Sequence, residues 1–134
     1  MQTALFELGL ALFLLGLLTG LAIPAMKNPR MGLSSHLEAV LNGMFLVLLG
    51  LLWPHVELTP GLGLTAVVLI GYAAYANWLA TLLGAVWGAG RRFAPIATGE
   101  HRASSARERI VEVLLASLAV AIIIGVILVM IGLA

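Results

Sequence analysis

The stretch IVEVLLASLAVAIIIGVILVMIGLA, residues 110–134, decides the fold class of this chain. After Glu112, its only polar side chain is that of Ser117. An apolar helix of about 20 residues is long enough to cross the hydrocarbon layer of a membrane. The stretch therefore predicts a transmembrane helix.

Three further apolar runs, residues 3–26, 35–53 and 63–87, precede this one. The four runs take up most of the 134 residues, of which 62% are hydrophobic and only 10% are charged. A soluble domain carries about 25% charged residues. We therefore expect an all-α integral membrane protein, a four-transmembrane-helix bundle that forms one membrane domain over residues 1–134.

The first run is expected to be a retained membrane span. It has no basic residue ahead of it, carries Glu7 instead, and continues without the small-residue pattern of a signal-peptide cleavage site. Cysteine is absent, which excludes disulfides, thiolate metal sites and cysteine nucleophiles. Polar side chains inside the runs are the candidates for function, because polar groups are costly in a membrane.

The basic residues orient the protein in the membrane. All seven follow run 1 or run 3: Lys27 and Arg30 after the first, and Arg91, Arg92, Arg102, Arg107 and Arg109 after the third or at the start of run 4. Basic residues mark the cytoplasmic side. We therefore expect both termini on the non-cytoplasmic side of a multi-pass protein of the bacterial inner membrane.

Two short segments fit the capping box, in which a serine and a glutamate three residues later satisfy the first turn of a helix. Ser35-His36-Leu37-Glu38 would begin run 2, and Ser105-Ala106-Arg107-Glu108 would begin run 4. Capping accounts for Glu38, which is therefore not nominated as catalytic. His101, among the charges after run 3, is expected to be solvated.

Small residues indicate where helices approach closely. Gly16 and Gly20, like Gly84 and Gly88, form Gly-x-x-x-Gly pairs that permit close helix packing. His36 shares a heptad-spaced seam with Gly43 and Gly50. The missing side chains along this seam leave room either for a helix or for a flat ligand.

The polar residues His36 and Asn42 of run 2 each have more than one possible role. Six residues of helix turn through about 600°, so the two side chains point about 120° apart. His36 caps its own helix or meets lipid phosphates, or else it binds a metal, as neutral imidazole commonly does. Asn42, with Asn77 of run 3, either bonds a neighbouring helix or holds a substrate.

Run 3 carries two different faces. Asn77, Thr81, Gly84 and Gly88 fall within about 60° of one another at 100° per residue, and the side chains of Tyr72, Tyr75 and Trp78 lie on the other side. The first face suits a close approach of another helix. The aromatic face either lines a pocket or packs against neighbours.

These residues carry a family resemblance. The segment GLLTGLAIP, residues 16–24, and the motif His36-Leu37-Glu38-x3-Asn42-Gly43 resemble hydroxylaminobenzene mutases over essentially the whole chain. More distantly, His-x5-Asn-Gly on the second span and an asparagine on the third are similar to the styrene oxide isomerases. The mutase resemblance implies an isomerase that converts an N-arylhydroxylamine to an ortho-aminophenol.

The isomerase resemblance implies a homotrimer with ferric haem b between subunits. It makes His36 the axial ligand of the haem iron, in a site completed by the asparagine of the neighbouring subunit. We expect Gly43, on the seam of His36, to lie at the cofactor, and Asn42, with Asn77 or Tyr75, to hold the substrate as catalytic residues. The isomerases carry a tyrosine where this chain has Thr81, so Tyr75 or Tyr72 replaces it or the group is not needed. The implied partners are a small aromatic substrate and the lipid bilayer, with no nucleic acid.

Two other function classes fit a chain of four spans. A small multidrug-type transporter would carry a glutamate well inside the first span, whereas Glu7 lies near the end of this one. A structural subunit of a membrane complex would use Asn42 and Asn77 only to bond helices together. The spectrum of the purified protein and its products from hydroxylaminobenzene would discriminate among these classes.

Overall fold

The computed structural model describes residues 1–134 and consists of helices joined by short connections. The four long helices are α1 (Gln2–Ala22), α2 (Pro29–Leu52), α3 (Pro60–Trp87) and α5 (Ser105–Leu133), and the single-turn helix α4 (Pro95–Thr98) lies between α3 and α5. All four long helices are apolar and long enough to cross a membrane. The prediction of an all-α protein with four potential spans is therefore confirmed.

The helices alternate in direction, which brings both termini to one end of the bundle. At that end, the N–H of Glu57 donates to the carbonyl of Gly132 at 2.7 Å. At the opposite end, the Lys27 ammonium donates to the carbonyls of Trp87 (3.1 Å) and Arg102 (3.0 Å). The basic segments therefore share one end, as predicted, and which side of the membrane that end faces stays a prediction.

Helix α2 begins six residues before run 2, at Pro29. Asn28 is its N-cap, and the side-chain oxygen of Asn28 accepts a hydrogen bond from the N–H of Met31 at 3.2 Å. Asparagine at the N-cap followed by proline at the first helical position is a strong start signal. The capping box predicted at Ser35 is therefore wrong, and the Ser35 hydroxyl instead donates to the carbonyl of Trp78 on α3 at 3.1 Å.

The capping box predicted at Ser105 is also wrong, because Ser104 is the N-cap of α5 and its side chain makes no capping bond. The Glu108 carboxylate turns away and accepts hydrogen bonds from the N–H groups of Gly90 (2.8 Å) and Arg91 (3.3 Å). Glu108 thus ties the connection after α3 to the start of α5. His101 is not merely solvated, since its Nε2 lies 3.1 Å from the carbonyl oxygen of Lys27.

The long helices pack in chain order, α1 on α2, α2 on α3 and α3 on α5, with a smaller contact between α1 and α3. The core between them is aliphatic and includes Leu5, Leu12, Leu46, Ile70 and Val129. Large apolar side chains cover the outside, such as Leu21 and Met130. An apolar exterior is what contact with lipid requires.

Glycines set the distance between α1 and α2. A Cβ atom at Gly43 would lie 2.7 Å from the carbonyl oxygen of Gly9, and one at Gly50 would lie 2.7 Å from the ring of Phe6. Helix α1 therefore occupies the seam of His36, Gly43 and Gly50. In the other pair, Gly88 ends α3 in the left-handed conformation (φ 73°), so it caps the helix.

Candidate functional site

The side chain of His36 is held against α1. Its Nδ1 lies 2.8 Å from the carbonyl oxygen of Gly16, and a Cβ atom at Gly20 would lie 2.8 Å from the same nitrogen. The Gly16/Gly20 pair therefore makes room for an imidazole as well as for the backbone of α2. His36 is the eighth residue of α2, six residues further into the helix than predicted, because the helix begins at Pro29.

This contact fixes the tautomer of the His36 ring. A carbonyl oxygen can only accept a hydrogen bond, so Nδ1 carries the hydrogen, and in the neutral ring Nε2 carries the free electron pair. No group of the protein bonds Nε2. A backbone carbonyl on one ring nitrogen is the usual support for a histidine that binds a metal through the other.

Glu38 is the centre of a polar cluster that sequence reasoning missed. One carboxylate oxygen, Oε2, accepts hydrogen bonds from the side-chain amides of Asn77 on α3 (2.6 Å) and Asn42 one turn along α2 (3.4 Å). The two asparagines therefore meet through Glu38 rather than through each other. The four-residue spacing of Glu38 and Asn42 is the sequence signal that could have revealed part of the cluster.

The cluster and His36 lie on different sides of α2. Two residues of helix turn through about 200°, so His36 faces α1 and Glu38 faces α3. The structure therefore brings together Asn42 and Asn77 and keeps His36 apart from both. The divergence predicted from the spacing of His36 and Asn42 is confirmed.

A cavity of about 350 Å³ opens beside the cluster, between α2, α3, α5 and the segment around α4. Glu38 and Asn77 form part of its polar lining with Ser34 and Thr81, while Met31, Phe93, Leu115 and Ala119 contribute to its apolar lining. Pockets for small ligands are typically about 300–1,000 Å³, apolar, with a few convergent polar groups. The cavity has the size and lining of a site for a small aromatic molecule.

The aromatic side chains of α3 make hydrogen bonds to two different helices. The Tyr75 hydroxyl donates to the carbonyl of Leu8 (2.9 Å) and the Trp78 indole donates to the hydroxyl of Thr19 (3.0 Å), both on α1. The Tyr72 hydroxyl lies 2.6 Å from that of Ser117 on α5. The predicted aromatic stripe is thus divided between two helix contacts, and Tyr75 lies apart from Asn42 and Asn77.

Thr81 of α3 lies on the Glu38 side of α2, and Gly43 lies on the His36 side. The Thr81 hydroxyl, buried at the cavity, donates to the carbonyl of Asn77 at 2.8 Å and so belongs to the Glu38 side. Gly43 lies at the crossing of α1 and α2 and lines an apolar groove of about 280 Å³ with Leu10, Phe13 and Met44. His36 and Gly43 therefore share the α1 side of α2.

Comparison with known proteins places this chain among isomerases. A family model described as styrene oxide isomerase matches residues 1–134. Hydroxylaminobenzene mutase HabA of Ectopseudomonas oleovorans is 52% identical over 132 residues, 98% of each chain. HabB, a hydroxylaminobenzene mutase of the same organism, is 54% identical over 120 residues, which cover 90% of this chain and 73% of that relative. No solved structure matches. The predicted resemblance and the prediction of an isomerase are confirmed.

Proposed function

This chain belongs to the styrene oxide isomerase family, and we propose that it rearranges hydroxylaminobenzene, an N-arylhydroxylamine, to 2-aminophenol within the bacterial inner membrane. The observation that carries the proposal is the similarity to HabA over 98% of both chains. The cavity beside Glu38 supports it, because a lining of seven apolar and four polar residues suits an aryl ring with a polar head. No specific observation favours a transporter or a structural subunit.

The reaction moves a hydroxyl group from nitrogen to the ortho carbon of the same molecule, so it needs no external oxidant or reductant. Cleavage of the N–O bond requires withdrawal of electrons from the leaving oxygen, by a proton or by a Lewis acid. Within the chain, Asn77 lines the cavity and Asn42 joins it through Glu38, so the two asparagines would hold the Glu38 carboxylate beside the polar head of the substrate. Seating of the ring against the apolar side chains of the cavity would shield it from water that would otherwise attack it.

The surroundings of His36 fit a haem b that this histidine would hold. Its Nδ1 is held by the Gly16 carbonyl, its Nε2 has no protein partner, and the apolar groove at Gly43 lies on the same side of α2. When bound there, haem would supply ferric iron as the Lewis acid for the leaving oxygen. His36 would hold the iron and the apolar groove that Gly43 lines would receive the macrocycle, since α1 fills the space directly over Gly43 itself.

A homotrimer would unite the two sides of α2. His36 faces α1 whereas Asn77 and Glu38 face the cavity, so one chain alone does not bring them to one point. In a closed ring each subunit uses two different surfaces, one toward each neighbour. His36 of one subunit would then complete a site with the asparagines of the next. Tyr75 would join this site only after releasing the carbonyl of Leu8.

Purified protein tests both the reaction and the cofactor. We expect 2-aminophenol from hydroxylaminobenzene and a Soret band in the visible spectrum of the detergent-solubilised protein. His36→Ala should lose both, whereas His55→Ala, an exposed histidine between α2 and α3, should lose neither. Absence of 2-aminophenol from the wild type would refute the function, and full activity with an intact Soret band in His36→Ala would refute the haem assignment.

The sidedness is tested separately. We propose that the basic end of the bundle faces the cytoplasm, since it carries the lysine and arginine residues. A reporter that is active only outside the cytoplasm should be active when fused to the C-terminus. Activity of a cytoplasm-specific reporter at that position would reverse the orientation.

A further inference from the structure

Glu38 is an acid inside a membrane helix with no basic partner. It lies nine residues into α2, about 14 Å from the start of the helix at 1.5 Å per residue. The one ion pair in the structure joins Arg92 to Glu112 at 3.6 Å, outside this region. Ionisable groups at membrane depth are rare, and those present commonly serve function.

The two oxygens of the Glu38 carboxylate differ in their surroundings. Oε2 accepts both asparagine amides, at 2.6 Å and 3.4 Å, whereas Oε1 accepts no hydrogen bond from the protein. Oε1 of Glu38 is also partly accessible. The only fully buried side-chain oxygen without a hydrogen-bond partner is Oε1 of Glu108, so Oε1 of Glu38 is not fully buried. Glu38 lines the cavity, and Oε1 is the oxygen of its carboxylate that has no donor from the protein.

We propose that this cavity is the aryl pocket of the mutase reaction and that Glu38 Oε1 carries the ortho proton of the substrate to its nitrogen. The inference rests on the proposed function and adds a binding site and a catalytic residue to it. The asparagines clamp Oε2 with charge-assisted hydrogen bonds, which fixes the direction of Oε1. Phe93, Leu115 and Ala119 contact the ring from the apolar side.

The proton balance of the rearrangement requires such a carrier. The N–O bond breaks with its electron pair on oxygen, and that pair then forms the C–O bond at the ortho carbon, which leaves a ring imine whose ortho carbon still holds hydrogen. Glu38 takes this hydrogen as a proton. The C–H pair becomes a ring π bond, the C=N π pair moves to nitrogen, and nitrogen takes the proton back from Glu38. Glu38 is regenerated, and no other reactant is consumed.

A single carboxylate oxygen can carry the proton, because the ortho carbon that gives the proton and the nitrogen that takes it are close together. The ortho carbon and the nitrogen are separated by only two bonds, so Oε1 serves both atoms while Oε2 stays on Asn42 and Asn77. Exclusion of water by the apolar walls protects the ring imine from hydrolysis during the transfer.

Glu38→Gln tests the proposal, because glutamine preserves the shape and accepts hydrogen bonds but does not carry the proton. The rate of 2-aminophenol formation is measured with hydroxylaminobenzene and with substrate deuterated at both ortho carbons. We expect the variant to lose about 10²–10⁴-fold in kcat and to show a larger isotope effect on kcat than the wild type. Glu7→Gln, an exposed acid on α1, is the matched control and should change neither value.

A larger isotope effect is a readout that a purely structural role of Glu38 would not produce. Wild-type activity in Glu38→Gln, or lost activity with an unchanged isotope effect, would overturn the proposal and leave the proposed function standing. Failure of the wild type to form 2-aminophenol would overturn both. If Glu38→Gln does not fold, Glu38→Asp replaces it in the test. Aspartate is shorter by one methylene, which withdraws the carboxylate from the substrate. A folded Glu38→Asp variant with an unchanged rate and an unchanged isotope effect would overturn the proposal.

Discussion

Replacing Gly43 by alanine should loosen the contact between α1 and α2. The added Cβ atom would lie 2.7 Å from both the carbonyl oxygen of Gly9 and the backbone nitrogen of Phe13. Both obstacles are backbone atoms, so no side-chain rotation relieves the clash and the helices must separate. Overpacking of this kind costs typically about 1–3 kcal/mol.

The helix propensity of alanine offsets part of this cost. Alanine is favoured over glycine by about 0.8–1.0 kcal/mol inside a helix. The net destabilisation expected for Gly43→Ala is therefore about 1 kcal/mol, the difference between the middle of the overpacking range and the propensity gain. Gly71→Ala is the matched control, because its Cβ atom would meet only the Leu8 side chain, at 3.8 Å.

Thermal unfolding of both variants in one detergent measures the difference. The propensity gain is common to the two, so their comparison isolates the clash, and Gly43→Ala should have the lower Tm by several degrees. A Tm of Gly43→Ala equal to or above that of Gly71→Ala would refute the close approach of α1 and α2 at this glycine.

Two further changes probe the two sides of α2. Gly20→Ala places a Cβ atom 2.8 Å from Nδ1 of His36, which should push the ring off the Gly16 carbonyl and weaken haem binding about 10- to 100-fold. Titration of the Soret band measures this affinity, with Gly71→Ala as the control. An unchanged affinity would contradict the role of the Gly16 carbonyl. Asn77→Asp removes the amide that donates to Glu38 at 2.6 Å and sets a second acceptor in its place. We expect kcat to fall strongly, whereas Asn77→Gln keeps an amide and should retain more activity. Equal rates in the two variants would contradict the need for an amide donor.

The sequence predicts part of the candidate site but not the role of Glu38 at its centre. His36, Asn42 and Asn77 stood out because polar side chains are conspicuous in apolar runs. The spacing of Ser35 and Glu38 predicts a capping box, in which Glu38 serves the first turn of the helix. The structure begins α2 at Pro29 instead, which leaves the Glu38 carboxylate free to accept both asparagine amides.

The sequence by itself determined the properties that depend on neighbouring residues. The length and apolar character of a run decide whether it can span a membrane, so the four long helices were predictable. The period of the helix decides where side chains on one helix point, so the divergence of His36 and Asn42 was predictable too. The motif around His36 was sufficient to indicate the family.

Only the tertiary structure decided which helix meets which side chain. The bond between Glu38 and Asn77 joins residues 39 positions apart, and it exists because α2 packs against α3 at that depth and rotation. The same packing divides Tyr72 from Tyr75 and gives the His36 ring its place over Gly20. Relative depth and rotation of helices arise from the fit of whole surfaces, glycine against backbone and side chain against groove, and no local spacing encodes them.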